Sequence, residues 1–512
     1  MKKQRFCQTT IVKWQKVWYN PIRRGLISMR EPRLIGRAEE CRKLERCLDR
    51  REAQLIVVRG RRRVGKTFLI NRFFENGFDF KLTGEYKAPK AEQLENFAME
   101  LNRRTHTKHQ TPESWKDAFE MLRAYLSELP EGEKHIVFFD EMPWMDTPKS
   151  GFLKAFEYFW NDYGSAKEDF VFIVCGSATS WIMKNIEQNK GGLFNRKTCS
   201  IFLRPFCLQE TAEYLQMIGI DWSEYDIAQC YMILGGIPYY LSFLNPAETL
   251  NENVDSLFFR KNAELADEFD NLFRTLFSGS DDYVRIVTML SRKRYGMTLA
   301  EIAQKGKLPL NGNLSDKMNQ LVQSGFVCVH PMFGQKKKEL RYQLCDYFSL
   351  FYCRFAREHY AKDERFWQHM NDNPSRYAWA GLTYELLCMD HSDQIRLKLG
   401  ISGVLAEMSY WKTNVEDGQE GTRGAQIDLV IDRRDRVISL GEIKYSMNEF
   451  EIDKAYDIDL RNKMDAFRRE TGTVKTLQLV MITTFGVRKN KYSNIVSGQV
   501  VLEDLFRPVF RY

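Results

Sequence analysis

Apolar residues in this chain fall into short unbroken runs, each followed by a polar or glycine-rich turn and a helical pattern. Leu55–Val58, Ile136–Phe139 and the run in "DFVFIVCGSATSW" are of this kind, and a further strand follows Arg196. Runs of four or more apolar residues without alternation belong to strands buried on both faces, as in a parallel sheet covered by helices. Over 283–345 the pattern changes. A helix, a short turn, a second helix starting at "TLAEIA", a third over about 313–324 and two strands around "FGQKKKE" follow one another. Thr298 and Glu301 stand at the two positions of a capping box. Residues 347–373 are aromatic and helical, a stripe suited to packing domains together. A new α/β pattern follows: the helix "WAGLTYELLCMDH", the strand "MSYWKT" and a hairpin, "AQIDLVIDRRDRVISLGEIKYS". The expected class is α/β, with several domains in 512 residues.

Composition adds limits. A hydrophobic fraction of 44% suffices for packed cores, and no block is of low complexity. The net charge of +8 is compatible with a nucleic-acid partner but equally with none. Eleven cysteines lie scattered without zinc spacing, which points to a reducing, cytoplasmic setting. No apolar stretch reaches the roughly 18–20 residues of a membrane span. The basic N-terminus lacks the apolar region of a signal peptide, and Met29 is an alternative start.

The candidate chemistry begins at residues 54–70, "QLIVVRGRRRVGKTFLI". Gly60, Arg61, Arg62, Arg63, Val64, Gly65, Lys66 and Thr67 form the GxxxxGK[ST] loop between a strand and a helix, the context that phosphate binding requires. The glycines let backbone N–H groups converge on phosphate oxygens, Lys66 reaches the β- and γ-phosphates of ATP, and Thr67 ligates Mg²⁺. In "HIVFFDEMPWM", Asp140 would hold the metal through water and Glu141 would polarise the attacking water. Ser177 ends the third strand, either as a γ-phosphate sensor or as a helix cap. Arg196 is either a surface arginine or one that completes an active site, in its own subunit or in a neighbour of a homo-oligomer.

These motifs, with "LIGRAEECRKLE" (34–45) and "LGGIPYYL" (234–241), occur in an order that resembles the archaeal-type P-loop ATPases, within the additional-strand class that includes STAND and AAA-like proteins. The resemblance implies that Gly36 and Arg37 pack near the adenine side and that "GGIPYYL" belongs to a helical lid. Where the family usually has Gly-Arg, this chain has Asn195-Arg196.

The pattern of 281–346 is that of a winged helix-turn-helix. Its third helix offers Lys317 beside Asp316, whereas Lys336, Lys337 and Lys338 suit phosphate contacts on DNA without base reading. The alternative is an interdomain packing module.

In the last hairpin Asp428 should pair across to 441 or 442, about 5 Å from Glu442. Glu442 and Lys444, two apart, point to one face. Two carboxylates so placed suit a divalent cation, Mg²⁺ or Mn²⁺, with Lys444 to orient or activate water. This set resembles the PD-(D/E)XK nuclease fold, specifically the domain of unknown function that follows this ATPase in many archaeal and bacterial chains. That resemblance makes Asp428, Glu442 and Lys444 the metal and catalytic set, with Glu385 assisting. The expected order is an N-terminal extension (1–28), ATPase core (29–205), helical lid (206–280), winged helix (281–346), helical linker (347–375) and restriction-endonuclease-like domain (376–512). The function it implies is a Mg²⁺-dependent ATPase whose nucleotide state controls a nuclease-like domain acting on DNA. The alternative is a STAND-like switch whose last domain binds a partner without cutting.

Overall fold

The computed structural model describes residues 34–75, 77–189, 191–277, 279–334, 340–413 and 425–509. Contacts divide the chain into Met1–Ile35, almost all of it outside the described residues, and Gly36–Tyr512, one compact unit. The expected extension 1–28, Met29 and the wing lysines 336–338 lie outside the described residues. No described helix is long and apolar enough to cross a membrane.

The first sheet contains β1 (Gln54–Arg59), β2 (Phe80–Thr83), β3 (His135–Asp140), β4 (Phe170–Gly176) and β5 (Cys199–Phe202), all parallel, in the order β2-β3-β4-β1-β5. β4 therefore lies between the strand that feeds the glycine loop and the strand that ends in Asp140. The apolar runs form β1, β3 and β4 because both faces are covered. Val57, Phe139 and Phe172 enter one core with Phe119 and Phe156, while Ile56, Phe138 and Ile173 enter the other with Leu44 and Ile70. All five C-terminal strand ends face one edge, where an open α/β sheet binds its ligand.

Five helices follow between Leu208 and Leu276. Three more, Ser280–Leu290, Leu299–Gly306 and Gly312–Gln323, accompany a small antiparallel sheet of β6 (Met297–Thr298, between the first two of them), β7 (Val327–His330) and β8 (Arg341–Leu344), ordered β6-β8-β7. Thr298 accepts from the Glu301 N–H and the Glu301 carboxylate accepts from the Thr298 N–H, closing the capping box. The aromatic segment packs as its composition requires: Phe351 meets Phe258, Trp367 and Trp379.

The last sheet is β9 (Ala406–Lys412), β10 (Gln426–Arg433), β11 (Val437–Lys444), β12 (Thr476–Thr483) and β13 (Val496–Val501), ordered β13-β12-β11-β10-β9. β9, β10 and β11 run antiparallel, whereas β12 and β13 are parallel to β11. The helix Lys454–Thr471 joins β11 to β12, and the helix Pro374–Asp390 contacts β11.

Candidate functional sites

The loop after β1 turns because its glycines take conformations that side chains resist. Gly60 has φ 155° and Gly65 has φ 89°. A Cβ on Gly60 would stand 2.3 Å from the Leu203 carbonyl oxygen, so β1 and the segment after β5 approach closely only with glycine there. Lys66 begins the helix Lys66–Phe73 and is buried; its Nζ donates to the carbonyls of Gly60 and Arg61 at 3.1 and 3.0 Å. Thr67 Oγ1 donates to Asp140 Oδ2 at 2.8 Å. The structure thus brings the loop hydroxyl against the carboxylate that ends β3, and this pair fits a Mg²⁺ ion bound with a nucleotide.

Glu141 follows in a left-handed conformation, φ 46°. Its Oε2 accepts from both the N–H and the hydroxyl of Ser177, each at 2.9 Å. Ser177 does not cap the next helix, whose N-cap position is Ala178. Burial of the β4 tip commits it instead to Glu141.

Three arginines were expected to serve the nucleotide, and two of the side chains have acidic partners downstream. Arg61 is buried in an ion pair with Asp346, with its guanidinium 4.9 Å from the Phe326 ring centre. Arg63 (φ 75°) donates Nε and Nη2 to the Glu268 carboxylate, both at 3.2 Å, and lies 3.9 Å over Tyr239. Tyr240 Oη donates to the same carboxylate at 3.2 Å. Arg62 lies 6.0 Å from the Trp144 ring. A loop with a left-handed Arg63 aims these side chains at acids on other elements.

The motif glycines at 36 and 236 have a packing reason. A Cβ on Gly36 would meet Glu210 Oε1 at 2.1 Å, and one on Gly236 would meet the Phe206 carbonyl oxygen at 2.3 Å. Arg37 stacks 4.8 Å over Phe206 and donates to the Val64 carbonyl at 3.3 Å. Both motifs therefore close on the segment 203–210 beside the phosphate loop.

Arg196 is not brought to this loop. It is exposed on the turn before β5, and Thr198 pairs with Leu55 at the start of β1, the sheet edge opposite the loop.

Residues 34–244 match the model of an ATPase domain found predominantly in Archaea. The chain belongs to that family through this domain. An uncharacterized protein of Methanocaldococcus jannaschii is 25% identical over 329 residues, 63% of this chain and 68% of its own length. An uncharacterized ATP-binding protein of the same organism is 52% identical over 42 residues, 8% of this chain and 71% of its own length. Among solved structures, a Walker-type ATPase of Pyrococcus abyssi is 20% identical, with a TM-score of 0.46 over 63% of this chain and 96% of its own. The ORC2 protein of Aeropyrum pernix is 12% identical, with a TM-score of 0.40 over 63% of this chain and 93% of its own. The archaeal-type ATPase domain, with its parallel sheet and glycine loop, is an ATP-hydrolysing enzyme.

The second candidate site lies on β10 and β11. Leu429 stands opposite Gly441, so Asp428 faces Glu442 across the hairpin. Asp428 accepts from the Ile443 N–H at 3.1 Å and from Gln426 Nε2 at 2.9 Å. Glu442 is buried, and its Oε1 accepts from Lys444 Nζ at 2.8 Å, Tyr456 Oη at 2.8 Å and Lys463 Nζ at 2.9 Å. Burial alone would push the Glu442 carboxyl up, but Lys444 and Lys463 outweigh it and hold it below its ordinary value. Asp428 is pushed the other way, first by burial and then by Glu442. Glu385, on the helix Pro374–Asp390, rises to about 7 through burial and the nearby Asp428.

Sequence reasoning missed the side chains that complete this site. Tyr456 and Lys463 come from the helix Lys454–Thr471, and a spacing of two helical turns puts both on one face. That spacing was legible, but nothing local said which sheet the face would meet. Arg294, from the loop before β6, donates Nε to Glu385 Oε2 at 3.1 Å and lies 3.7 Å from Asp428 Oδ1. Among the described residues no group of three or more His, Cys, Asp or Glu side chains is gathered as a metal would need. The facing pair Asp428 and Glu442 supplies hard oxygen donors, but Arg294, Lys444 and Lys463 already answer their charge.

Proposed function

We propose that this chain is an ATP- and Mg²⁺-dependent ATPase whose nucleotide state controls a winged helix and a nuclease-like domain acting on DNA. The observation that carries the reading is the facing of Asp428 and Glu442 with Lys444 two residues on, in the same compact unit as a complete phosphate loop. In the ATPase domain the loop backbone N–H groups and Lys66 hold the phosphates. Thr67 and Asp140 would hold Mg²⁺, which would supply positive charge against the phosphoryl oxygens. Glu141 orients the attacking water, and Ser177 fixes the position of its carboxylate. Arg61, Arg62, Arg63 and Val64 contribute main-chain groups, and Arg196 would act only on the nucleotide of a neighbouring subunit in a homo-oligomer.

The helices Ser280–Leu290, Leu299–Gly306 and Gly312–Gln323 with β6-β8-β7 suit a winged helix. Lys317 is in an ion pair with Asp282, which leaves the third helix poorly equipped to read bases. Phosphate contact with DNA is the reading it supports. In the last domain Asp428 and Glu442 would hold a second divalent cation, Mg²⁺ or Mn²⁺, with Lys444 orienting water and Glu385 assisting. No disulfide joins any of the ten described cysteines, in keeping with a reducing, cytoplasmic location.

The test incubates wild type, Lys66→Ala and Glu442→Ala proteins with several DNA forms and Mn²⁺, with and without ATP. Wild type should cut, Glu442→Ala should not, and Lys66→Ala should lose ATP binding and any ATP effect on cutting. Absence of cutting by wild type under every nucleotide condition would sink the nuclease reading and leave the ATPase. One observation favours a second reading, an ATP-gated switch that binds a partner without cutting it: Glu442 is enclosed by two lysines and a tyrosine. Turnover below about one per minute, unaffected by DNA, supports that reading.

A further inference from the structure

Arg294 is the cation that stands against the second acidic site from outside it. It does not belong to the sheet or to the helix Pro374–Asp390. It comes from the loop between the helix Ser280–Leu290 and β6, in the three-helix unit. Its guanidinium is bidentate on Glu385 and 3.7 Å from Asp428 Oδ1. Glu385 and Asp428 are mostly buried, at 17% and 7% side-chain exposure, whereas Arg294 is 45% exposed. The acids are thus built into the domain and the arginine approaches from its mouth. A cavity of about 40 Å³ lies at that mouth, lined by Arg294, Tyr295, Glu385, Tyr410, Gln426 and Asp428. This exceeds the roughly 15 Å³ that one water needs.

The loop that carries Arg294 is held from behind by β8. Gln343 Nε2 donates to the Arg294 carbonyl at 2.7 Å. Arg341 donates to the carbonyls of Tyr295 and Gly296 at 3.1 and 3.3 Å. The position of the guanidinium is therefore set by the small sheet, not by the acids alone.

We propose that Arg294 is a removable latch on the acidic site: it neutralises Glu385 and Asp428 when no metal is held, and a divalent cation loads only as it withdraws. The proposal rests on the reading of Asp428 and Glu442 as metal ligands. An arginine and a divalent cation draw on the same carboxylate charge at the same mouth, so binding of one weakens the other. The three-helix unit then governs the metal occupancy of the last domain through one side chain, and withdrawal needs only a shift of the 294–296 loop relative to β8.

The test measures binding of Mn²⁺ alone to the full chain by electron paramagnetic resonance, in a Thr67→Ala background that weakens the phosphate-loop metal site. Arg294→Gln should tighten Mn²⁺ by at least about fivefold, the low end for two ligands coupled through one site. Arg294→Lys, which keeps a cation, should tighten it less. Gln343→Ala, which leaves the arginine intact but frees its loop, should tighten it in the same direction and guards against a folding defect in the first variant. Adding Asp428→Asn should abolish the gain. Equal or weaker Mn²⁺ binding in Arg294→Gln, with binding in wild type, overturns the latch and leaves the metal site standing. No Mn²⁺ in any variant overturns the metal site and the latch with it.

Discussion

Arg61 of the phosphate loop and Asp346, the residue that caps the helix Tyr347–Phe351, form an ion pair buried on both sides. Asp346 also accepts from the Ser349 N–H at 2.9 Å. The loop that binds nucleotide is therefore tied by charge to the junction after β8, the strand that anchors the Arg294 loop. Arg61 Nε and Nη2 have no hydrogen-bond partner. The Asp346 carboxylate, the Phe326 ring face and the nearby Tyr240 and Glu268 offset its burial.

Removing one partner strands the other charge. Asp346→Ala should destabilise the protein by about 3–5 kcal/mol, the cost of an uncompensated buried charge. The double variant Arg61→Met/Asp346→Leu should recover most of it, because an apolar pair of similar volume is often as stable as a buried ion pair. Urea denaturation of the three proteins checks both. By contrast Arg63, 29% exposed beside Glu268, should be worth only about 1 kcal/mol.

Glu141 and Ser177 give a kinetic prediction. Glu141→Gln should retain ATP affinity and lose at least about a hundredfold in turnover, the contribution of a positioned general base. Ser177→Ala removes the hydroxyl donor but keeps the N–H that also reaches Glu141. A single hydrogen bond is worth about 1 kcal/mol, so turnover should change by less than about tenfold. Single-turnover hydrolysis with radiolabelled ATP separates these effects from binding.

The two glycines of the loop should not be equivalent. An alanine Cβ at 60 meets backbone oxygen at 2.3 Å, whereas at 65 it meets nothing within 4 Å. Gly65→Ala then suffers only the strain of its positive φ, about 1–3 kcal/mol. Gly60→Ala must also push β1 from the segment after β5, and should lose both more stability and more ATP binding. Thermal melting with and without ATP ranks the two.

What was legible in the sequence is what is local. Unbroken apolar runs became β1, β3 and β4, Thr298 and Glu301 closed their box, and the two-residue spacing of Glu442 and Lys444 put them in contact. The Asp428–Glu442 register could be read because a short turn fixes hairpin pairing. The ion pairs Arg61–Asp346, Arg63–Glu268 and Arg294–Glu385 were not legible. Each joins elements far apart in the chain, and no periodicity encodes which acid a basic loop will find. For the same reason the sequence left Arg196 open between a surface turn and an active site, and β5 places it at the far sheet edge.

His391 supplies a pH prediction. It is fully packed at the end of the helix Pro374–Asp390 and ties that helix to the one beginning at Leu208: the Leu208 N–H donates to its Nε2 at 3.1 Å. Nε2 must then be the acceptor, so the proton lies on Nδ1, which donates to the Leu387 carbonyl at 2.9 Å. Burial lowers its pKa to about 4, from the ordinary 6.5. The unfolded chain thus takes up a proton near pH 6.5 while the folded one refuses it until about pH 4. Stability from this residue is complete above pH 6.5, declines as the pH falls through that window, and is lost by about pH 4. The loss should be about 3 kcal/mol from the shift alone. His391→Gln retains an acceptor but cannot titrate, so it should lose correspondingly less stability between pH 6.5 and 4. Urea midpoints of both proteins across that range test it, and parallel curves would show that His391 does not titrate there.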